Sequence, residues 1–163
     1  MNLLMGIIIF VAMSGLISKI KETLLRDDYQ VGDNEARKDM LLLFVRVIAA
    51  ILMMTHGFPK MEKLIAGGEI KFYNFMWTGP TISLALCVLG ELIAPIFVVL
   101  GYKFRLACFL LVFTMFVAAF GAHFSDPLSE KEHSLLYYLL FLVLMQTGPG
   151  RYSLLYWLQG KKS

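Results

Sequence analysis

Charge is scarce in this 163-residue chain: Asp, Glu, Lys and Arg together supply 17% of it, where soluble domains carry about 25%. So few charges cannot clothe a domain of this size, because surface is large relative to volume in small proteins. Cysteine is scarcer still. Cys87 and Cys108 stand far apart inside apolar runs, with no CxxC or CxxCH spacing. That excludes a disulfide framework and c-type haem attachment and leaves both as small core residues. Lys and Arg outnumber Asp and Glu by 15 to 12, yet they form no basic stripe interleaved with aromatics, so no nucleic acid is expected as a partner. Internal repeats and low-complexity linkers are absent too, and the chain reads as one bundle rather than a string of modules.

What remains is apolar. Hydrophobic residues make up 58% without counting glycine, above the roughly 45–50% of soluble domains, which does count it, and the mean hydropathy is +0.70. The lipid bilayer is therefore the first partner. Five apolar stretches stand out, at residues 2–17, 40–58, 76–101, 106–124 and 133–147. About 20 helical residues cross a roughly 30 Å hydrocarbon core. The second to fourth stretches are long enough, the fifth reaches span length with its flanks, and the first is marginal. That first stretch lacks a positive n-region, and Ala12-Met13-Ser14 is a poor cleavage site, so a retained span or anchor is expected. Counted by alternate loops, Lys and Arg number 10 on one side and 4 on the other, with Arg46 inside a helix. The positive-inside rule then places the 18–39 connector, the 102–105 turn and the C-terminus in the cytoplasm. The fold expected is all-α, an integral membrane helical bundle.

Ionisable groups at membrane depth are costly and mark function by default. Arg46 lies about 9 Å from the cytoplasmic edge by helical rise, Glu91 about 15 Å, and Gln146 near the same level. These three form an expected inner polar layer, in which Arg46 and Glu91 make a membrane-embedded ion pair. Pro95 cannot donate to the carbonyl of Glu91, so the helix is expected to kink there. Such a pair serves either as a clasp between helices or as a site for a proton, a quinol or a polar head group.

Every histidine falls in an outer layer: His56, His123 and His133, with Lys60, Asp126 and Glu132 nearby in sequence. A quinone head group or its protons can use His56, Lys60, His123, Glu132 and His133 as donors and acceptors. Haem ligation by His56 and His123, or a metal held by the histidines with Glu132, is the less favoured reading. Along the second stretch Arg46, Ala50, Met53, Gly57 and Lys60 recur at helical spacing, a stripe of small and charged residues that suits an inward seam. Residues 151–158 with Lys161 and Lys162 read as a short amphipathic piece on the cytoplasmic surface.

These residues carry a resemblance. Arg46, then His56-Gly57-Phe58-Pro59-Lys60, Gly90-Glu91-Leu92, Leu100-Gly101 with Arg105, and His123 follow one another in order. Glu132 ahead of Tyr137-Tyr138 and the Gly148-Pro149-Gly150-Arg151-Tyr152-Ser153 tail complete the set. Over residues 40–155 the chain resembles the DoxX family of bacterial membrane proteins. The resemblance implies a four-helix membrane core at 40–155; the residues before it, 1–39, read as an N-terminal hydrophobic helix and charged cytoplasmic connector, and 156–163 as a cytoplasmic tail. It also implies association with redox chemistry, as in thiosulfate:quinone or quinol oxidase subunits and in oxidative-stress complexes. Two departures are visible: residues 2–17 lie outside the core, and Leu154-Leu155 stand where an acidic residue is common.

The leading reading is a small subunit of a quinone-linked redox complex in the bacterial cytoplasmic (inner) membrane, with quinone as the candidate cofactor and other proteins of the complex as partners. With no soluble catalytic domain, it would serve as an accessory subunit, not as an enzyme alone. A purely structural or assembly subunit is the alternative, and a small carrier or lipid-binding bundle the third.

Overall fold

The computed structural model describes residues 14, 15, 18 and 35–160. The chain divides into two units, Met1–Asn34 and Glu35–Ser163. In the first, the Ser18 hydroxyl donates to the Gly15 carbonyl at 2.9 Å. The rest of the 2–17 stretch, and Lys161 and Lys162, lie outside the described residues.

The second unit is helical, with no strand among the described residues. Four long helices, α1 (Glu35–Ala66), α2 (Pro80–Leu100), α3 (Phe104–Ala122) and α4 (Leu128–Thr147), pack mainly against their neighbours in chain order. A short α5 (Leu154–Gly160) follows. The first three are each long and apolar enough to cross a membrane; α4 has the length, 20 residues, but opens on a polar turn. The core draws on all four: Ala49, Ala50 and Met53 of α1, Ala94 and Val98 of α2, Cys108 and Leu111 of α3, Phe141 and Leu144 of α4. Small residues predominate on α1 and α2 because helices in lipid gain most from close backbone approach. Large apolar side chains such as Phe44, Ile51, Phe109, Phe116 and Val143 face outward. In water that pattern would be a liability; against acyl chains it costs nothing.

Two boundaries differ from the sequence-based expectation. Helix α1 begins at Glu35 rather than near Met40, and it runs through Pro59 to Ala66. The proline ring removes one ladder bond, to the carbonyl of Thr55, but the turn beyond keeps Lys60, Met61 and Leu64 partly buried against the bundle. At Pro95 the expected kink takes the form of a π turn over Leu89–Ile93, closed by the Ala94 N–H donating to the Leu89 carbonyl. Pro95 then falls in the first turn of the following segment, where a missing N–H matters least. A second π turn, Ala118–Ala122, ends α3, with the His123 N–H donating to the Ala118 carbonyl.

At Gly57 the backbones of α1 and α2 approach too closely for a side chain. A Cβ there would lie 2.8 Å from the backbone C and O of Glu91 and 2.9 Å from the Leu92 Cβ, so the π turn of α2 rests directly on it. Gly57→Ala is expected to lower stability by about 1–3 kcal/mol through this overpacking. Gly160→Ala, whose Cβ meets nothing within 4 Å, serves as the control. Thermal unfolding followed by tryptophan fluorescence in detergent checks both; equal melting temperatures would show that the helices do not meet at Gly57.

Candidate functional site

Glu91 sits in the π turn of α2 and is 2% exposed. Its partner is Lys60 of α1, not Arg46. The lysine Nζ donates to Glu91 Oε1 at 2.5 Å and also to Oε2. Cys87, one turn before Glu91, joins them: its Sγ lies 3.2 Å from Glu91 Oε1 and 3.4 Å from Lys60 Nζ. Three polar groups from two helices thus close one network. A buried carboxylate in hydrocarbon demands such a partner.

The expected Arg46–Glu91 pair is corrected by the position of Arg46 along the bundle. Arg46 is level with Gly101, whose added Cβ would strike the guanidinium. Glu91, ten residues before Gly101, therefore lies about 15 Å farther along the axis. Lys60, fourteen residues beyond Arg46, lies about 21 Å along; the difference of about 6 Å is what a lysine side chain spans, and side chains tilt towards the helix N-terminus.

Arg46 instead ties down the C-terminal segment. Its Nη1 donates to the Pro149 carbonyl at 2.8 Å, Nη2 donates to the Tyr152 carbonyl, and the guanidinium lies 6.0 Å from the Phe104 ring centre. Backbone carbonyls take the role foreseen for a carboxylate. Asp39 completes the clasp: its Oδ1 accepts from the Arg151 N–H at 3.1 Å, and its Oδ2 pairs with Arg151 Nε at 3.4 Å. Gly101, at φ +64°, leaves room for Arg46 and Ser153 where a Cβ could not fit. Ser153 then caps α5, its Oγ accepting from the Tyr156 N–H at 3.2 Å. Gln146 is exposed and takes no part in an inner layer; it turns away from the core face carrying Phe141 and Leu144.

At the other end two cavities meet. One is polar, about 190 Å³, lined by His56, Lys60, Glu91, His123, His133 and Tyr137 among others. The other is apolar, about 440 Å³, walled by side chains such as Phe72, Phe75, Leu86, Leu110 and Phe113. Lys60, Glu91, Ala118 and His123 line both. The ion pair therefore stands at the junction, and both π turns flank it, as π bulges often do at functional sites. The apolar chamber is closed on one side by the 67–79 segment, where Phe75 meets Phe113 edge-on at 5.9 Å and its N–H donates to Ser83 Oγ at 2.9 Å.

The outer histidines are brought together in part. His56 and His133 lie 6.0 Å apart, each about 6 Å from Tyr137, at 6.1 and 6.2 Å. His123 is held by Asp126, Nδ1 to Oδ2 at 2.6 Å. Glu132 is exposed and lines neither cavity. No three His, Cys, Asp or Glu residues gather as a metal site among the described residues. Sequence reading puts Cys87 on the face of Glu91, one turn earlier, but missed its contact with Lys60, the π turns, and the contribution of Tyr137 and the 67–79 aromatics. A histidine and a tyrosine four residues apart on one helix were the available signal for Tyr137.

Breaking one member of the junction pair leaves a buried charge unmatched. Lys60→Met is expected to cost about 3 kcal/mol or somewhat more, and adding Glu91→Leu should restore most of that loss. A double-mutant cycle on detergent unfolding measures it; additive losses would mean that the two side chains do not interact.

Comparison with known proteins follows the same residues. The DoxX family model matches residues 41–124, a stretch containing Arg46, Lys60, Cys87, Glu91 and both π turns. The inner membrane protein YphA of Escherichia coli (strain K12) is 29% identical over 134 residues, covering 75% of this chain and 93% of its own. No solved structure matches.

Proposed function

This chain belongs to the DoxX family, and from that premise we propose that it is an accessory subunit of a quinone-linked redox assembly in a bacterial inner membrane. The observation that supports this reading is the junction: an apolar chamber of about 440 Å³ ending on a buried Lys60–Glu91 pair that also faces a polar cavity. Such a chamber suits an amphiphile, apolar wall for the tail and polar groups for the head. A quinone fits that division, and when bound it supplies two-electron, two-proton carriage. The chain's own residues would do the rest. Lys60 donates a hydrogen bond to a ring oxygen, Glu91 accepts a proton, and His123, touching both cavities, links the site to Asp126. Phe75 and Phe113 exclude water from the apolar side. An inner membrane address is supported by the similarity to YphA, and 10 against 4 Lys and Arg residues across alternate loops favour a cytoplasmic Arg46 end and C-terminus.

The structural-subunit alternative draws on the Arg46 clasp, which organises the C-terminal segment without any ligand. A photoreactive quinone analogue separates the two. Labelling of the purified protein is expected at residues lining the apolar chamber, to fall at least tenfold with excess unlabelled quinone, and to fall similarly in Glu91→Gln. Label spread over the lipid-facing surface without competition would overturn the quinone reading in favour of the structural one. Competition by a fatty acid but not by quinone would favour the lipid-binding bundle.

A further inference from the structure

The polar cavity holds a group of side chains apart from the Lys60–Glu91 junction, where the head group is placed. His56 comes from α1; His133 and Tyr137 come from successive turns of α4. Their ring centres form a nearly equilateral triangle, 6.0, 6.1 and 6.2 Å on a side. None of the three has a hydrogen-bond or ion-pair partner among the described residues, although all line one cavity. Their neighbours are already occupied: Lys60 and Glu91 neutralise each other, and His123 is held by Asp126. Both His56 and His133 are exposed, so this end of the cavity opens at the protein surface.

The triangle has the dimensions of a shared metal. An imidazole nitrogen at roughly 2.0–2.1 Å from zinc puts its ring centre about 3.2 Å from the ion, so two imidazoles on one ion have centres roughly 5 to 6.4 Å apart. A phenol oxygen at a similar bond length puts its ring centre roughly 4 to 4.5 Å away, which gives His–Tyr separations of about 6 Å at tetrahedral angles. The two His–Tyr sides match tetrahedral angles, and the 6.0 Å His–His side corresponds to a nitrogen–metal–nitrogen angle opened to about 140°. Imidazole donors select late first-row divalent ions over magnesium or calcium. We propose that His56, His133 and Tyr137 bind a single first-row divalent cation, Zn²⁺ or Cu²⁺, on the exposed rim of the polar cavity. This site uses residues other than the Lys60–Glu91 junction and stands independently of the quinone reading. It also differs from the His56–His123 pairing that the sequence suggested, because Asp126 holds His123 away.

The test uses full-length protein with any affinity tag removed, in detergent. Calorimetric titration with Zn²⁺ is expected to give one equivalent per chain, weakened at least tenfold by His56→Ala and by His133→Ala. Melting temperatures of the metal-free variants, and His56→Asn and His133→Asn as milder replacements, separate loss of ligand from loss of fold. His123→Ala should retain binding. With Cu²⁺, electron paramagnetic resonance should show coupling to two imidazole nitrogens, and Tyr137→Phe should remove a phenolate-to-copper absorption band. Absence of stoichiometric Zn²⁺ binding by the wild type would overturn the proposal, as would binding that survives His133→Ala or is lost in His123→Ala. A Cu²⁺ spectrum unchanged by Tyr137→Phe would remove the tyrosine from the ligand set.

Discussion

A carboxylate held inside hydrocarbon must find a counter-charge, and the architecture around Glu91 follows from that requirement. Among the described residues, the cation that reaches it is Lys60, which lies beyond a proline that would ordinarily end a helix. Helix α1 therefore continues through Pro59, and the lysine extends back along its own helix axis to meet the acid. Gly57 lets the two backbones touch at that level. The π turn of α2 turns Gly90, Glu91 and Leu92 inward together. Remove the need to match Glu91, and neither the glycine contact nor the passage through Pro59 has an evident purpose.

The bundle then divides its labour between two ends. At the Arg46 end every strong polar contact is a tie between chain segments: guanidinium to carbonyls, Asp39 to Arg151, Ser153 to its own helix. Of the buried polar atoms there, Asp39 Oδ2 and Arg46 Nε have no hydrogen-bond partner among the described residues. At the Glu91 end polar groups from α1, α2, α3 and α4 face open volume, and several have no hydrogen-bond partner among the described residues. Rigidity sits at one end and chemistry at the other, an arrangement that holds binding groups in place from a distance.

Much of this was legible in the sequence. The stripe Arg46, Ala50, Met53, Gly57 at helical spacing does face inward, because a period near 3.6 in small and charged residues has no other use in lipid. Glu91 with Pro95 four residues on did announce a backbone irregularity. What failed was partner choice. Arg46 and Glu91 have opposite signs and near-equal apparent depths, but those depths were measured from helix ends that composition places only to within a few residues. Arg46 stands level with Gly101, so an error of about 9 Å in its depth took it out of reach of Glu91. All three histidines line one cavity, yet only their rotation about each helix decides which face one another. Rotation is what the two π turns alter, and nothing in Leu89-Gly90-Glu91-Leu92-Ile93 or Ala118-Ala119-Phe120-Gly121-Ala122 proclaims them.

Each π turn also carries an implication for how such a protein can change over time. A π turn is an α-helix with one residue inserted, so α2 before Leu89 and α2 after Ile93 are out of phase by about 100°. The half bearing Val98 is phased to the shared core, while the half bearing Cys87 is phased to the chamber. Substitutions can retune either half without disturbing the other. A one-residue deletion between them cannot, because it would swing the chamber-lining face towards lipid while leaving the core face in register. Relatives that keep this chamber should therefore vary in side chains but not in the count of residues between Cys87 and Val98.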